Sequence, residues 1–157
     1  MPNKIVQIII LLAISVSLTG AEIAGTAIKI IDGDTVSIQE TSGNTYRIRL
    51  YEIDAPEKRQ PYGLAAKLYL AIAISGKTVT VLPRGNDQYG RMIGEIIFEE
   101  KNINSELVRN GLAWHYRAYA PNDRILAENE ISVRTAKIGL WNDPQPIPPW
   151  NYRKGKR

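Results

Sequence analysis

The stretch "KIIDGDTVSI", Lys29–Ile38, constrains this chain more than any other. Apolar residues alternate on both sides of Asp32-Gly33-Asp34, and a period of two marks a strand with one buried face. Asp-Gly between two such runs is the strongest short-range hairpin signal. The same three residues set two carboxylates close together, which is how proteins hold hard cations. The stretch therefore predicts antiparallel sheet and raises a chemical question: a bend only, or a bend that carries a site.

The rest of the sequence extends the sheet. "AGTAIKIID" and "DTVSIQE" read as paired strands, and "TSGN" as the next turn. "TYRIRLYEI", Thr45–Ile53, reads as a third strand with Tyr46, Ile48 and Leu50 on one face and Arg47 and Arg49 on the other. "DAPEKRQP" is broken by Pro56 and Pro61 into a loop. "YGLAAKLYLAIAIS" predicts a helix whose apolar stripe is Leu64, Leu68, Ala71 and Ile72, closed by Ser75-Gly76. "KTVTVLP" and "RMIGEIIFEE" are the fourth and fifth strands, joined by the loop "RGNDQYG". A short helix follows, with Asn102 as N-cap and Gly111 beyond its end. "LAWHYRAYAP" fits either a strand or a loop with aromatic anchors, and "NDRILAENEISVRTAKIG" is a further helix ended by Gly139. Five short strands with a helix between the third and fourth match the string of an OB-fold, a small Greek-key barrel, in an α+β protein with three helices.

The two ends differ from the body. Lys4 is the only charge in the first 21 residues, followed by the apolar run Ile5–Val16 and the small residues "SLTGA". That order is a secretory signal peptide, 1–21, cut near Ala21. The run is short of the roughly 20 residues a membrane crossing needs, with an uncleaved anchor as the alternative. Export would place the mature chain in the periplasm, at the cell surface or outside the cell, with membrane contact only in transit. Residues 22–142 form the folded body, and 143–157 a proline-rich basic tail. Four prolines between Pro144 and Pro149 favour an extended segment with no core of its own. The chain carries +4. Subtracting +1 for Lys4 and +4 for "RKGKR" leaves the body from Glu22 to Tyr152 at −1. A polyanionic partner must therefore be argued from where single arginines stand, not from net charge.

Composition removes several chemistries. With no cysteine there is no disulfide, thiolate metal site, thiol nucleophile or lipidated cysteine. A single histidine, His115, gives a Ser-His-Asp triad little support, and no phosphate loop or nucleophile elbow is present. What remains is oxygen and guanidinium. In a meander the first turn and the exit of the third strand lie at one end, so Asp32, Asp34, Asp54 and Glu57 are expected to converge there. Oxygen donors alone suit Ca²⁺ or Mg²⁺ better than zinc. Arg49, on the outward face, and Arg91, after "DQYG", stand where planar guanidinium forks could hold a phosphate ester. The plainer alternatives are turn-forming acids and surface ion pairs. Trp114, Tyr116 and Tyr119 could stack on bases, or Trp114 could fill the barrel mouth. His115 is expected to be structural.

"IDGDT", "RIRLYEIDAPE", "DQYGR", "NSELVRNGLAW" and "AKIGLW", in this order, resemble the staphylococcal nuclease (thermonuclease) family from about Gly25 to Trp141. The resemblance implies a five-stranded OB barrel with three helices and Ca²⁺-dependent hydrolysis of DNA and RNA that leaves 3′-phosphate ends. It implies that Asp34 and Asp54 ligate calcium through carboxylates and Ala55 through its carbonyl, with Asp32 close by. Arg49 and Arg91 match the arginines that clamp the scissile phosphate, Glu57 the proposed general base, and Tyr89 and Tyr119 tyrosines of the nucleotide pocket. Departures are Gln88 where a lysine is expected, Arg117 where a tyrosine is expected, and a shorter loop after Glu57. Arg117 or Arg84 would then meet the second phosphate. The competing class is a non-catalytic nucleic-acid-binding barrel, in which the acids and arginines are replaced; here all are present. Nucleic acid is the partner implied, with a monomer and no stable protein partner. The basic tail could also tether the chain to a surface or to DNA.

Overall fold

The computed structural model describes residues 21–155, so the expected signal peptide lies outside the described residues. The hairpin forms as the alternation requires. β1 (Ile23–Asp32) and β2 (Thr35–Glu40) pair antiparallel, with Asp32 opposite Thr35 across the turn. β3 (Thr45–Leu50) continues the meander, with Thr35 opposite Arg49. Ile48 and Leu50 turn into the core while Arg47 is exposed and Arg49 half-buried. The third strand ends earlier than expected. Tyr51 and Glu52 form a turn in which Glu52 takes a left-handed φ of 63°, and Ile53–Asp54 is a separate short strand, β4.

After β4 come α1 (Gly63–Ile74), β5 (Thr78–Asn86), β6 (Met92–Phe98) and β7 (Lys101–Asn102). α2 (Ile103–Arg109), β8 (Trp114–His115), α3 (Arg124–Thr135) and α4 (Pro149–Tyr152) complete the chain. β5 runs on through Pro83 into the segment expected to be loop, and its register against β6 slips between Pro83 and Gly85. Such a bulge is where a strand tolerates proline. The Asn102 side chain caps α2 by accepting from Ser105 N–H. The ambiguous aromatic stretch supplies β8, which pairs with β4, setting Asp54 opposite Trp114. α3 stops before Gly139: Lys137 takes the left-handed conformation, with φ 53°, and the chain enters a 3-10 turn, Gly139–Asn142.

Closure comes from one parallel pairing. β1 lies between β2 and β5, β5 pairs with β6, and β6 runs parallel to β3 with Arg49 opposite Ile93. Five strands thus close into a barrel, and closure leaves those edges paired. Val36, Ile38, Ile48, Val81 and Ile96 fill it, and Leu70, Ile74 and Leu107 pack against them from α1 and α2. Each such buried aliphatic side chain contributes about 1.5–3 kcal/mol.

Two expectations are corrected. The stripe expected to bury α1 faces solvent: Leu64, Leu68 and Ile72 are 62%, 52% and 79% exposed, and the buried face is Gly63, Ala66, Leu70 and Ile74. This helix is apolar on nearly every side, so periodicity offers two stripes, and the close approach of α1 to the first turn selects the one with small residues. The proline-rich tail, in turn, is not free-running. Pro149 is buried, and the Trp150 ring lies 5.5 Å from Trp114 and 5.2 Å from Tyr116. Trp114 also packs 4.3 Å from Trp141, so it fills the mouth of the fold. His115 is buried, with Nε2 2.8 Å from the Ala120 carbonyl, which is a structural role.

Candidate active site

The opening turn is shaped by crowding. Gly33 has no positive φ, so neither mirror-image hairpin turn is present and the left-handed freedom of glycine is not what the position uses. A Cβ at Gly33 would instead lie 2.6 Å from Ala66 Cβ and 2.9 Å from Ala55 Cβ. The turn is pressed against α1 and against the residue after Asp54. Asp34, the next residue, is thereby delivered to the end of β4. Its Oδ2 accepts from Ala55 N–H at 2.7 Å and its Oδ1 from Thr35 Oγ1 at 3.2 Å. Asp32 supports the turn, accepting from Asp34 N–H at 3.2 Å.

Arg49 joins the two buried acids. Its Nη1 lies 3.1 Å from Asp34 Oδ2, and its Nη2 donates to Asp54 Oδ1 at 2.8 Å. Nη1 also donates to the carbonyls of Leu50 and Ile53, at 3.1 and 3.0 Å, holding the turn between β3 and β4. The side chains of Arg49, Asp34 and Asp54 are 17%, 9% and 2% exposed, so this is an interior network and not a surface pair. Burial raises the Asp34 carboxyl to about 7; Asp32 and Asp54 push in the same direction, and Arg49 and the Ala55 N–H oppose them.

Arg91 stands across the cavity. Asp87 accepts from its Nε at 2.6 Å and from its backbone N–H at 3.0 Å, so the loop between β5 and β6 fixes the residue. A cavity of about 360 Å³ is lined by Asp34, Arg49, Asp54, Glu57 and Arg91, with Asp32, Ala55 and Tyr89 also on its walls. An adjoining cleft of about 440 Å³ shares Arg49 and Arg91 and adds Gln88, Tyr116 and Tyr119. Tyr89 and Tyr119 are 75% and 69% exposed there, open to a planar ligand. Arg117 is not brought to either cavity. It pairs with buried Glu130 at 3.3 Å on another face, and Arg84 is held by Glu95 at 2.6 Å.

Arg153 is the residue that sequence reasoning missed. Its Nη2 donates to Asp54 Oδ2 and its Nη1 to Glu57 Oε1, both at 2.7 Å. It stands in the segment that the sequence reads as a basic tail. The signal that could have found it is Trp150 within "PPWNYR", an aromatic that needs somewhere to dock.

A cation fits the donor set in one specific sense. Asp32, Asp34, Asp54 and Glu57 line one cavity as expected, but among the described residues no three acidic or histidine side chains close into a cage, and the buried acids are Asp34 and Asp54. Two carboxylates leave most coordination positions to backbone oxygen, water and substrate, which suits a hard, hydrated cation and not zinc with its nitrogen and sulfur preference.

The family model for staphylococcal nuclease homologues matches residues 47–143. A protein of Escherichia coli O157:H7 named as an uncharacterized endonuclease is 41% identical over 137 residues, covering 87% of this chain and 88% of that one. The micrococcal nuclease of Shigella flexneri is 35% identical over 147 residues, covering 87% of this chain and 84% of its own length. The family match spans the site from Arg49 to Arg91 and the structure closes the barrel that carries it; this chain belongs to the staphylococcal nuclease family.

Proposed function

We propose that this chain is a nuclease that hydrolyses phosphodiester bonds of DNA and RNA in a Ca²⁺-dependent reaction, leaving 3′-phosphate ends. The observation that carries the reading is the meeting of Arg49 and Arg91 with the buried pair Asp34 and Asp54 on one cavity. Asp34 and Asp54, with the Ala55 carbonyl, would hold the cation, and Asp32 would orient Asp34. Bound there, Ca²⁺ supplies Lewis-acid polarisation of the scissile phosphate. Arg49 and Arg91 hold the non-bridging oxygens and stabilise the charge that grows on them. Glu57 accepts a proton from the attacking water, whose oxygen bonds to phosphorus as the bond to the 5′ oxygen breaks. Tyr89 and Tyr119 offer ring faces to the bases, sequence-tolerantly.

Incubation of the mature chain with single-stranded DNA and with RNA, with calcium or with a chelator, tests this. The expected result is calcium-dependent acid-soluble product bearing 3′-phosphates. Binding without cleavage would replace it with the non-catalytic barrel. We further infer that the chain is exported, supported by the order of Lys4, the apolar run and the small residues in 1–21.

A further inference from the structure

Three guanidinium groups, not two, line the cavity that holds Asp34 and Asp54, and the third comes from the far end of the chain. Arg153 addresses Asp54 with both terminal nitrogens: Nη1 lies 3.2 Å from Oδ1 and Nη2 2.7 Å from Oδ2. Nη1 is shared with Glu57 Oε1 at 2.7 Å. The position is built. Buried Gln60 accepts from the Glu57 backbone N–H through Oε1 and donates to the Ile147 carbonyl through Nε2. One side chain therefore fixes both the loop of Glu57 and the segment that delivers Arg153. Pro149 is buried and Trp150 packs on Trp114 and Tyr116, which anchors the residues just before it.

Arg153 is not buried with its partners but stays exposed at the cavity rim. Its side chain is 45% exposed and lines both the 360 Å³ cavity and the 440 Å³ cleft, beside Arg49 and Arg91. Arg49 is heavily committed to the protein, through two carbonyls and two carboxylates, and Arg91 is tied to Asp87. Among the described residues, the Arg153 guanidinium is held only by carboxylate oxygens of the site itself. With a cation on Asp54, the bond to Glu57 would still hold Arg153 at the cavity.

We propose that Arg153 is a third phosphate-binding arginine of this site, a substrate-affinity residue that the folded-back C-terminal segment supplies. The proposal rests on the nuclease reading of the cavity. A planar fork beside a phosphate-ester site engages non-bridging oxygens bidentately, which a lysine cannot reproduce.

Equilibrium binding of a fluorescein-labelled oligothymidylate whose 5′ bridging oxygens are replaced by methylene groups, which resists cleavage and keeps the non-bridging oxygens, to the full chain in calcium tests the proposal, together with kcat and KM on single-stranded DNA. Arg153→Ala should raise Kd and KM about tenfold, with kcat changed less than about threefold, and should lower the salt slope of binding by roughly 0.7, one single-strand phosphate contact. Arg153→Lys should keep the salt slope and recover only part of the affinity. Calcium affinity is measured in parallel by calorimetry. If Arg153→Ala changes calcium affinity alone and leaves Kd and the salt slope as in the parent, the residue is an internal counter-ion and the proposal is overturned. Near-ultraviolet circular dichroism of the tryptophan cluster reports whether the segment stays docked; if the alanine variant undocks, the lysine variant, unchanged in Kd and KM, overturns the proposal by itself. A parent chain that binds the oligonucleotide yet cleaves nothing overturns the nuclease reading and not this one, whereas a parent chain that does not bind overturns both.

Discussion

The carboxylate of Asp34 accepts the backbone N–H of Ala55 at 2.7 Å, across a sequence separation of 21 residues. A hairpin turn is thereby locked to the residue that follows Asp54, and the two acids of the site are placed by backbone rather than by flexible side chains.

Crowding at that lock makes Gly33 sensitive. Gly33→Ala would set a methyl group against Ala66 and Ala55, neither of which can rotate away. Overpacking of this kind costs typically about 1–3 kcal/mol. Urea unfolding should show that loss, and cleavage should fall with it because the turn that moves carries Asp34. A fully stable variant with intact activity would refute the tight approach.

The two clamping arginines should separate in stability while failing together in activity. Removing one preorganised donor to a developing charge costs about 10²–10³ in kcat. Arg49→Ala also removes the bonds that hold Asp54 and the β3–β4 turn, so a further loss of about 1.5–3 kcal/mol in stability is expected. Arg91→Ala breaks one part-buried contact with Asp87, so its stability should fall by less, about 0.5–1.5 kcal/mol. Single-turnover rates and thermal melts of the two variants check this. Wild-type rates in either would remove that arginine from the clamp.

Asp34 gives the molecule a pH dependence with a definite sign. Its carboxyl is raised from 3.8 in the unfolded chain to about 7 in the fold, chiefly by burial. Between those values the native state keeps a proton that the unfolded state has lost, so stability without metal falls as pH rises through this window. Asp34→Asn should flatten the fall, measured as the difference between unfolding at pH 5 and pH 8 in chelator. Calcium must displace the same proton, so its affinity for the parent should climb across that range. A calcium affinity independent of pH would argue against ligation by Asp34.

The docked segment is open to a simple check. Trp150→Ala removes a ring packed on Trp114 and Tyr116. Large-to-small changes at fully buried tryptophans cost about 3–5 kcal/mol, and this half-buried one should cost about 1–3. The emission of Trp114 should shift to longer wavelength as water reaches it. An unchanged melt and spectrum would mean that the segment does not dock.

Much of this architecture was legible in the residues because it rests on local pattern. Alternation located β1, β2 and β3, Asn102 capped α2, and the two-residue turn with the exit of β3 brought Asp34 to Asp54. What escaped was set by tertiary contact. α1 is apolar all round, so its buried face depended on what small residues the Gly33 turn demanded. The run Thr45–Ile53 reads as continuous, and the break at Glu52 reflects the pairing of β4 with β8, 60 residues downstream. Arg153 escaped for the same reason. Prolines and basic residues describe a solvated tail unless Trp114, at the mouth of the barrel, gives Trp150 a seat.

The parallel pairing of β3 with β6 has a temporal meaning. Arg49 lies opposite Ile93, two residues past Arg91, so the reach between the two guanidinium groups is written into that one seam. Seams between segments so far apart in sequence form late and slowly. Until this one zips, the acids and Arg49 belong to one half of the chain and Arg91 to the other, and neither half can cut. A chain in which β3 and β6 have not yet met holds the parts of the cavity but not the cavity.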